Sequence, residues 1–142
     1  MISKKTGNNY IIRLDKGEKI LESVKNFCAK NGIKCGYFNG IGAASEAEFG
    51  FYIESKKKYN FELFRQPLEI VSLNGNITTL NGEIHVHCHA VFGDANMEAI
   101  ASHLKEAVVS FTCEIFLVSL DSEAERKYDE KTGLNLMRFI NE

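Results

Sequence analysis

Apolar and polar positions alternate with period two along most of this chain, and the departures from alternation mark its helix and turns. Tyr10-Ile11-Ile12-Arg13-Leu14 reads as a first strand, broken by Asp15-Lys16-Gly17-Glu18. Ile20, Leu21, Val24, Phe27 and Cys28 then recur at helical spacing, and Asn31-Gly32 closes the segment. This predicts an amphipathic helix over Gly17 to Asn31 whose apolar stripe lies on a sheet. Lys34 to Asn39 is a second strand, ended by Gly40-Ile41-Gly42-Ala43-Ala44-Ser45. A G-x-G after a strand invites a dinucleotide reading, but the third glycine is missing and no clear helix follows, so a tight turn explains it better. Glu46 to Glu54 and Tyr59 to Phe64 form a hairpin with Lys56-Lys57-Lys58 at its tip. Pro67 separates this hairpin from Glu69 to Leu73, which Asn74-Gly75-Asn76 turns into Ile77 to Leu80. Asn81-Gly82 is a strong hairpin signal. Met97, Ile100, Ala101, Leu104 and Val108 fit a helical stripe, so pattern alone makes Met97 to Val109 a helix. Ser110 to Ser119 is an apolar strand, and Glu123 to Glu142 is a polar tail with a turn at Lys131-Thr132-Gly133 and Leu134, Leu136 and Phe139 packing back. Many short strands and one clear helix describe an α+β fold, mainly antiparallel β-sheet with one principal α-helix packed on it.

The segment that carries chemistry follows Asn81-Gly82. In Gly82-Glu83-Ile84-His85-Val86-His87-Cys88-His89-Ala90-Val91-Phe92-Gly93, strand alternation puts His85, His87 and His89 on one face. Ile84, Val86, Cys88 and Ala90 take the other face, which suits a core. The fourth histidine of the chain, His103, follows 14 positions after His89. Alternate strand residues lie about 6.6 Å apart, whereas imidazoles on one zinc bind at about 2.0–2.1 Å. Two neighbours can lean together over that gap, but three in a row on one strand are strained. A metal site would therefore take two of the three and a further ligand from elsewhere, with His103 the candidate. The alternative is a solvated or hydrogen-bonded polar face of the sheet. Glu114, charged within an apolar strand, wants a partner and is either an acceptor for a ligand histidine or a satisfied structural carboxylate.

Composition changes this picture little. A chain of 142 residues with 44% hydrophobic and 25% charged content is expected to form one domain, 1–142, with its core within about 10–139. A formal net charge of −2 argues against a generally basic surface that tracks phosphates. Lys56, Lys57 and Lys58 are read first as a solvated, anti-aggregation tip, with phosphate or nucleic-acid contact as the lesser reading. Cys28, Cys35, Cys88 and Cys113 form no C-x-x-C pair and are expected to be reduced, buried thiols. No signal-like or membrane-spanning apolar run is present, and the cytoplasm is the expected location.

Six segments in order carry a family resemblance: Arg13-Leu14-Asp15-Lys16-Gly17-Glu18, Gly40-Ile41-Gly42-Ala43, Glu69 to Ile77, His87-Cys88-His89-Ala90, Ser102-His103-Leu104 and Glu114-Ile115. Together they resemble the plants-and-prokaryotes-conserved (PPC) domain in its prokaryotic single-domain form. The resemblance spans about Tyr10 to Phe139 and implies a compact α+β fold assembled as a homotrimer. It also implies a metal, with zinc the expected ion, because several prokaryotic members look like metal-containing proteins. The family's H-x-H-A falls on His87 and His89, and its G-G-H-L falls on Ala101-Ser102-His103-Leu104. That makes His87, His89 and His103 the implied ligand set and His85 the extra. Both glycines of G-G-H-L are replaced, and the resemblance favours an extended or turn-like segment there over a helix. The basic AT-hooks that plant relatives carry outside the domain have no counterpart in this sequence.

Three functions follow as expectations. The first is a DNA-binding or regulatory interaction module. The second is a metal-dependent enzyme or small-molecule sensor that uses an open three-histidine site, with Glu46, Glu48 or Glu114 as base. The third is a metal that only staples the trimer.

Overall fold

The computed structural model describes residues 1–139. Nine strands and one α-helix are present among them: β1 (Ile2–Thr6), β2 (Asn9–Asp15), α1 (Ile20–Asn31), β3 (Gly36–Ile53), β4 (Lys58–Phe64), β5 (Leu68–Leu80), β6 (Glu83–Gly93), β7 (Ala99–Ser119), β8 (Ala124–Asp129) and β9 (Leu134–Phe139). All strand pairs are antiparallel except a short parallel contact of β5 with β8. The strand order is β1-β2-β7-β3-β5-β8-β9, with β4 beside β3 and β6 joining β5 to β7. The pairings β3–β5, β5–β6, β6–β7 and β7–β3 therefore close a circuit, and the sheet curls around its own core.

The core takes the inward positions of these strands, including Phe38, Leu73, Ile77, Cys88, Phe92, Leu104, Ile115 and Leu117. The helix adds Ile20, Leu21, Val24, Phe27 and Cys28, which are the residues its periodicity selects. Phe27 meets Tyr10 of β2 edge-on at 5.1 Å. The helix begins at Ile20 rather than Gly17, because Gly17 and Glu18 are tied to β7 through Gly17 N–H to the Val109 carbonyl and Val109 N–H to the Glu18 carbonyl. Lys19 supplies no side-chain cap. Instead, the Glu106 carboxylate of β7 accepts the N–H groups of Leu21 at 2.8 Å and Glu22 at 3.0 Å. A carboxylate there satisfies orphan donors and complements the helix dipole. Gly32, at φ 68°, ends the helix as its left-handed cap. All four cysteines are free and buried.

Four sequence expectations are corrected. Met97 to Val109 is not helical; from Ala99 it belongs to the 21-residue strand β7. Buried positions there run Leu104, Ala107, Val109, Cys113, Ile115 and Leu117. Of the apparent helical stripe only Leu104 is buried, while Met97 and Ala101 are exposed, so the helical period there is coincidental; register shifts against β3 fall where the spacing between buried positions of β7 widens. Gly40 to Ser45 is not a turn but the bulged middle of the 18-residue β3. A Cβ on Gly40 would lie 2.9 Å from the Glu114 carbonyl oxygen, and one on Gly42 would collide with that of Thr112. These glycines admit the neighbouring strand. Asn74-Gly75-Asn76 is likewise internal to β5, and Gly75 leaves room for the Phe38 ring, which a Cβ there would strike. The tail forms the hairpin β8–β9, on which Leu136 and Phe139 stay exposed rather than packing back. Its last three positions, 140–142, lie outside the described residues. Strand β1 also stands ahead of the expected first strand.

Candidate metal centre

The outer face of the sheet carries the histidines. Strand β6 is paired so that His87 opposes Asn76 and His89 opposes Asn74 on β5. On its other side, His89 opposes His103 of β7. Cross-strand pairing thus supplies the third imidazole that a single strand cannot. Ring centroids are 5.1 Å apart for His87–His89, 5.1 Å for His87–His103 and 5.5 Å for His89–His103. One ligand nitrogen from each ring lies within 4.8 Å of the other two. His85 stands two residues before His87 on β6 and is outside this set.

The surroundings set the charge of His87 and His103. Burial lowers the His87 pKa to about 4, helped by the positive charge of Arg126 and by the neighbouring histidines. Burial also lowers His103 to about 4, with His89 and His85 contributing. His85 is lowered by burial, then by Arg126 and Lys25. His87 and His103 are therefore neutral at pH 7 with lone pairs available, the form in which histidine binds metal. Tyr59 of β4 lies over His103 with ring centroids 4.8 Å apart. Gly50 of β3, opposite His103, makes room for this: a Cβ there would sit 2.5 Å from the Phe61 ring and 3.0 Å from that of Tyr59. Ser102 donates to the Gly50 carbonyl at 2.6 Å. A recess lined by Tyr37, Asn74, Asn76, His87 and His89 opens beside the rings.

The residues present fit a divalent metal. His103 Nδ1 is buried and has no hydrogen-bond partner among the described residues, a costly state for a polar atom unless something else satisfies it. Nitrogens on a tetrahedral zinc stand roughly 3.3 Å apart. The observed limit of 4.8 Å is wider than that, so the three rings would draw together around a bound ion.

Other sequence-selected residues fall elsewhere. Glu114 is exposed and lies across β3 and β5 from His89. Among the described residues it hydrogen-bonds no histidine. Glu46 pairs with Arg65 at 2.9 Å and Glu48 with Lys105 at 2.9 Å, so neither faces the trio as a free base. Lys56, Lys57 and Lys58 are exposed around the β3–β4 connection, and Lys57 Nζ donates to the Glu130 carbonyl at 2.6 Å. Sequence reasoning missed Arg126, Tyr59 and Glu106. Arg126 sits in a tail that reads only as polar, and its place beside His87 depends on β8 meeting the end of β5, for which the local pattern carries no signal.

Fold and site define a class: a curled antiparallel sheet with one packed helix, presenting three histidines from two adjacent strands. The chain belongs to the Plants and Prokaryotes Conserved (PCC) domain family, matched over residues 1–121. It is similar to a putative DNA-binding protein of Bacteroides thetaiotaomicron, with 33% identity and a TM-score of 0.94 over 97% of this chain and 96% of that one. A plant- and prokaryote-conserved protein of Pyrococcus horikoshii shares 36% identity, with a TM-score of 0.87 over 95% of this chain and 94% of its own. A metal-containing protein of Archaeoglobus fulgidus shares 34% identity, with a TM-score of 0.86 over 96% and 97% respectively. No curated protein matches the chain. Among the described residues, no helix is long and apolar enough to cross a membrane.

Proposed function

We propose that His87, His89 and His103 bind one divalent cation, zinc, and that the fourth coordination position receives a small ligand from the adjoining recess. The chain is then a metal-dependent sensor or regulatory module, with 1–142 as one domain. The observation that carries this reading is the unpartnered, buried Nδ1 of His103 inside a trio whose ligand atoms lie within 4.8 Å of one another. Three imidazoles suit zinc and leave one position open. The Archaeoglobus fulgidus relative, a metal-containing protein, supports it further.

The module works as a homotrimer. Ile41, Val71, Phe111 and Phe116 are exposed large apolar residues, Phe111 at 79%. They line adjoining recesses with Glu114, and one of these recesses reaches Asn74, the cross-strand neighbour of His89. An apolar face of this kind marks an association surface, and it brings the subunit boundary close to the histidines.

A second reading, DNA binding, has the name of the Bacteroides thetaiotaomicron relative behind it. The net charge of −2 weighs against it, because phosphate binding rests on clustered cations.

The test is elemental analysis of the untagged protein, purified without added metal and then equilibrated with zinc. About one zinc per chain, lost in His87→Ala and His103→Ala but retained in His85→Ala, is the expected result. No zinc in the wild-type chain, or equal loss from all three variants, overturns the ligand assignment.

A further inference from the structure

We infer that Arg126 controls metal entry, because its contact with His87 and a His87–metal bond exclude one another. This rests on the metal reading above. Arg126 Nη2 lies 3.3 Å from His87 Nδ1. A guanidinium only donates, so Nδ1 is the acceptor and the proton of the neutral ring sits on Nε2. A metal needs a lone pair on one of these two nitrogens. If it takes Nδ1, the guanidinium must withdraw. If it takes Nε2, the ring proton moves to Nδ1 and faces an N–H donor, so the guanidinium must withdraw again. Either route removes a positive charge from beside the incoming cation.

The same guanidinium holds the β8–β9 hairpin to the sheet. Arg126 donates to Thr78 Oγ1 at 3.0 Å and Asn76 Oδ1 at 2.9 Å on β5, and to the Asn135 carbonyl of β9 at 2.9 Å. Apart from Arg126, the attachment of β8 to β5 among the described residues consists of the pairs Thr79–Glu125 and Leu80–Arg126 and a long hydrogen bond from Thr79 Oγ1 to the Ala124 carbonyl at 3.4 Å. Elsewhere the hairpin is tied at its turn, where Tyr52 donates to the Thr132 carbonyl and Lys57 to that of Glu130. Withdrawal of Arg126 on metal loading therefore loosens the strand end of the hairpin. By reciprocity, anything that holds the hairpin down weakens metal binding. Metal occupancy becomes readable at β8–β9, a surface distant in sequence from the histidines.

The experiment is a zinc titration against a competing chelator for wild type, Arg126→Met and Arg126→Lys, with amide hydrogen exchange over residues 124–139 with and without zinc. Arg126→Met is expected to bind zinc about tenfold tighter or more, in the range by which groups beside a ligand alter affinity. Arg126→Lys, which keeps the charge, is expected to fall between it and wild type. In wild type, zinc should accelerate exchange over 124–139, and in Arg126→Met it should change nothing there. Wild-type binding with equal or weaker binding by Arg126→Met overturns the inference and leaves the metal site standing. No binding by either overturns both. Arg126→Gln, which retains a donor for Thr78 or Asn76, replaces Arg126→Met in each comparison should that variant not fold.

Discussion

Acid should destabilise the metal-free protein through His87 and His103. Both rings have pKa values lowered from 6.5 to about 4. The unfolded chain binds their protons at the ordinary pKa, and the folded chain resists until the lowered one. Between these values the unfolded state holds more protons, so folding stability falls as pH falls. The contribution is complete above about pH 6.5 and is lost progressively on the way down to about pH 4. At pH 5 the full shift corresponds to roughly 2 kcal/mol per ring. Partial solvent screening at half-buried rings reduces that to about 1 kcal/mol each. Going from pH 7 to pH 5 should therefore cost about 2 kcal/mol through these two rings, with His85, also lowered by burial, adding in the same direction. Asp15, lowered by its hydrogen bond to the N-terminal ammonium, and Asp129, lowered by Thr132, remain ionised across this window. Urea denaturation at a series of pH values, with chelator present, measures the loss. In His103→Gln, the pH-dependent part should drop by about 1 kcal/mol, the share of one ring. An unchanged slope in that variant would refute the argument that these buried neutral rings are the source.

Four further perturbations test the fold and its surfaces. Glu106→Ala removes the acceptor for Leu21, Glu22 and Ala107 N–H groups; it should cost about 1–2 kcal/mol in urea denaturation, and a change under about 0.5 kcal/mol would show that α1 does not depend on this cap. Gly75→Ala drives a Cβ into the Phe38 ring; a loss of about 1–3 kcal/mol is expected, and unaltered thermal stability would contradict the packing. Phe111→Asp should reduce the proposed trimer to smaller species in sedimentation while leaving the circular dichroism spectrum intact; a three-chain mass in the variant would exclude this residue from the assembly face. Replacing Lys56, Lys57 and Lys58 with Ala should leave zinc per chain unchanged, and any DNA binding that disappears with them, with a shallower salt dependence, would make that tip a phosphate contact.

Much of the molecule is legible where the relevant interactions are local. The 3.6-residue period places α1 because one stripe of it is buried, and the two-residue period separates the histidine face of β6 from Cys88 and Ala90. Asn81-Gly82 locates a real hairpin, with both residues at positive φ, 52° and 81°. The departures cluster where strands touch distant strands. Gly40, Gly42 and Gly75 look like turn residues in isolation, but a neighbouring backbone or ring occupies the space their side chains would need. The bulges of β7 are set by pairing with β3, and the strand buries Leu104, Ala107 and Val109 rather than the apparent helical stripe.

Short-range periods are enough to identify the predominance of antiparallel strands, the principal helix and the common face of three histidines, and six short motifs in order carry the family resemblance. Each of these is written into neighbouring positions of the chain. Which histidines meet is a different matter, settled by long-range pairing. The β6–β7 register puts His103 opposite His89, while the β5–β8 contact brings Arg126 to His87. Spacing along the chain cannot encode these meetings directly, because they depend on how distant strands pair and curl around a shared core.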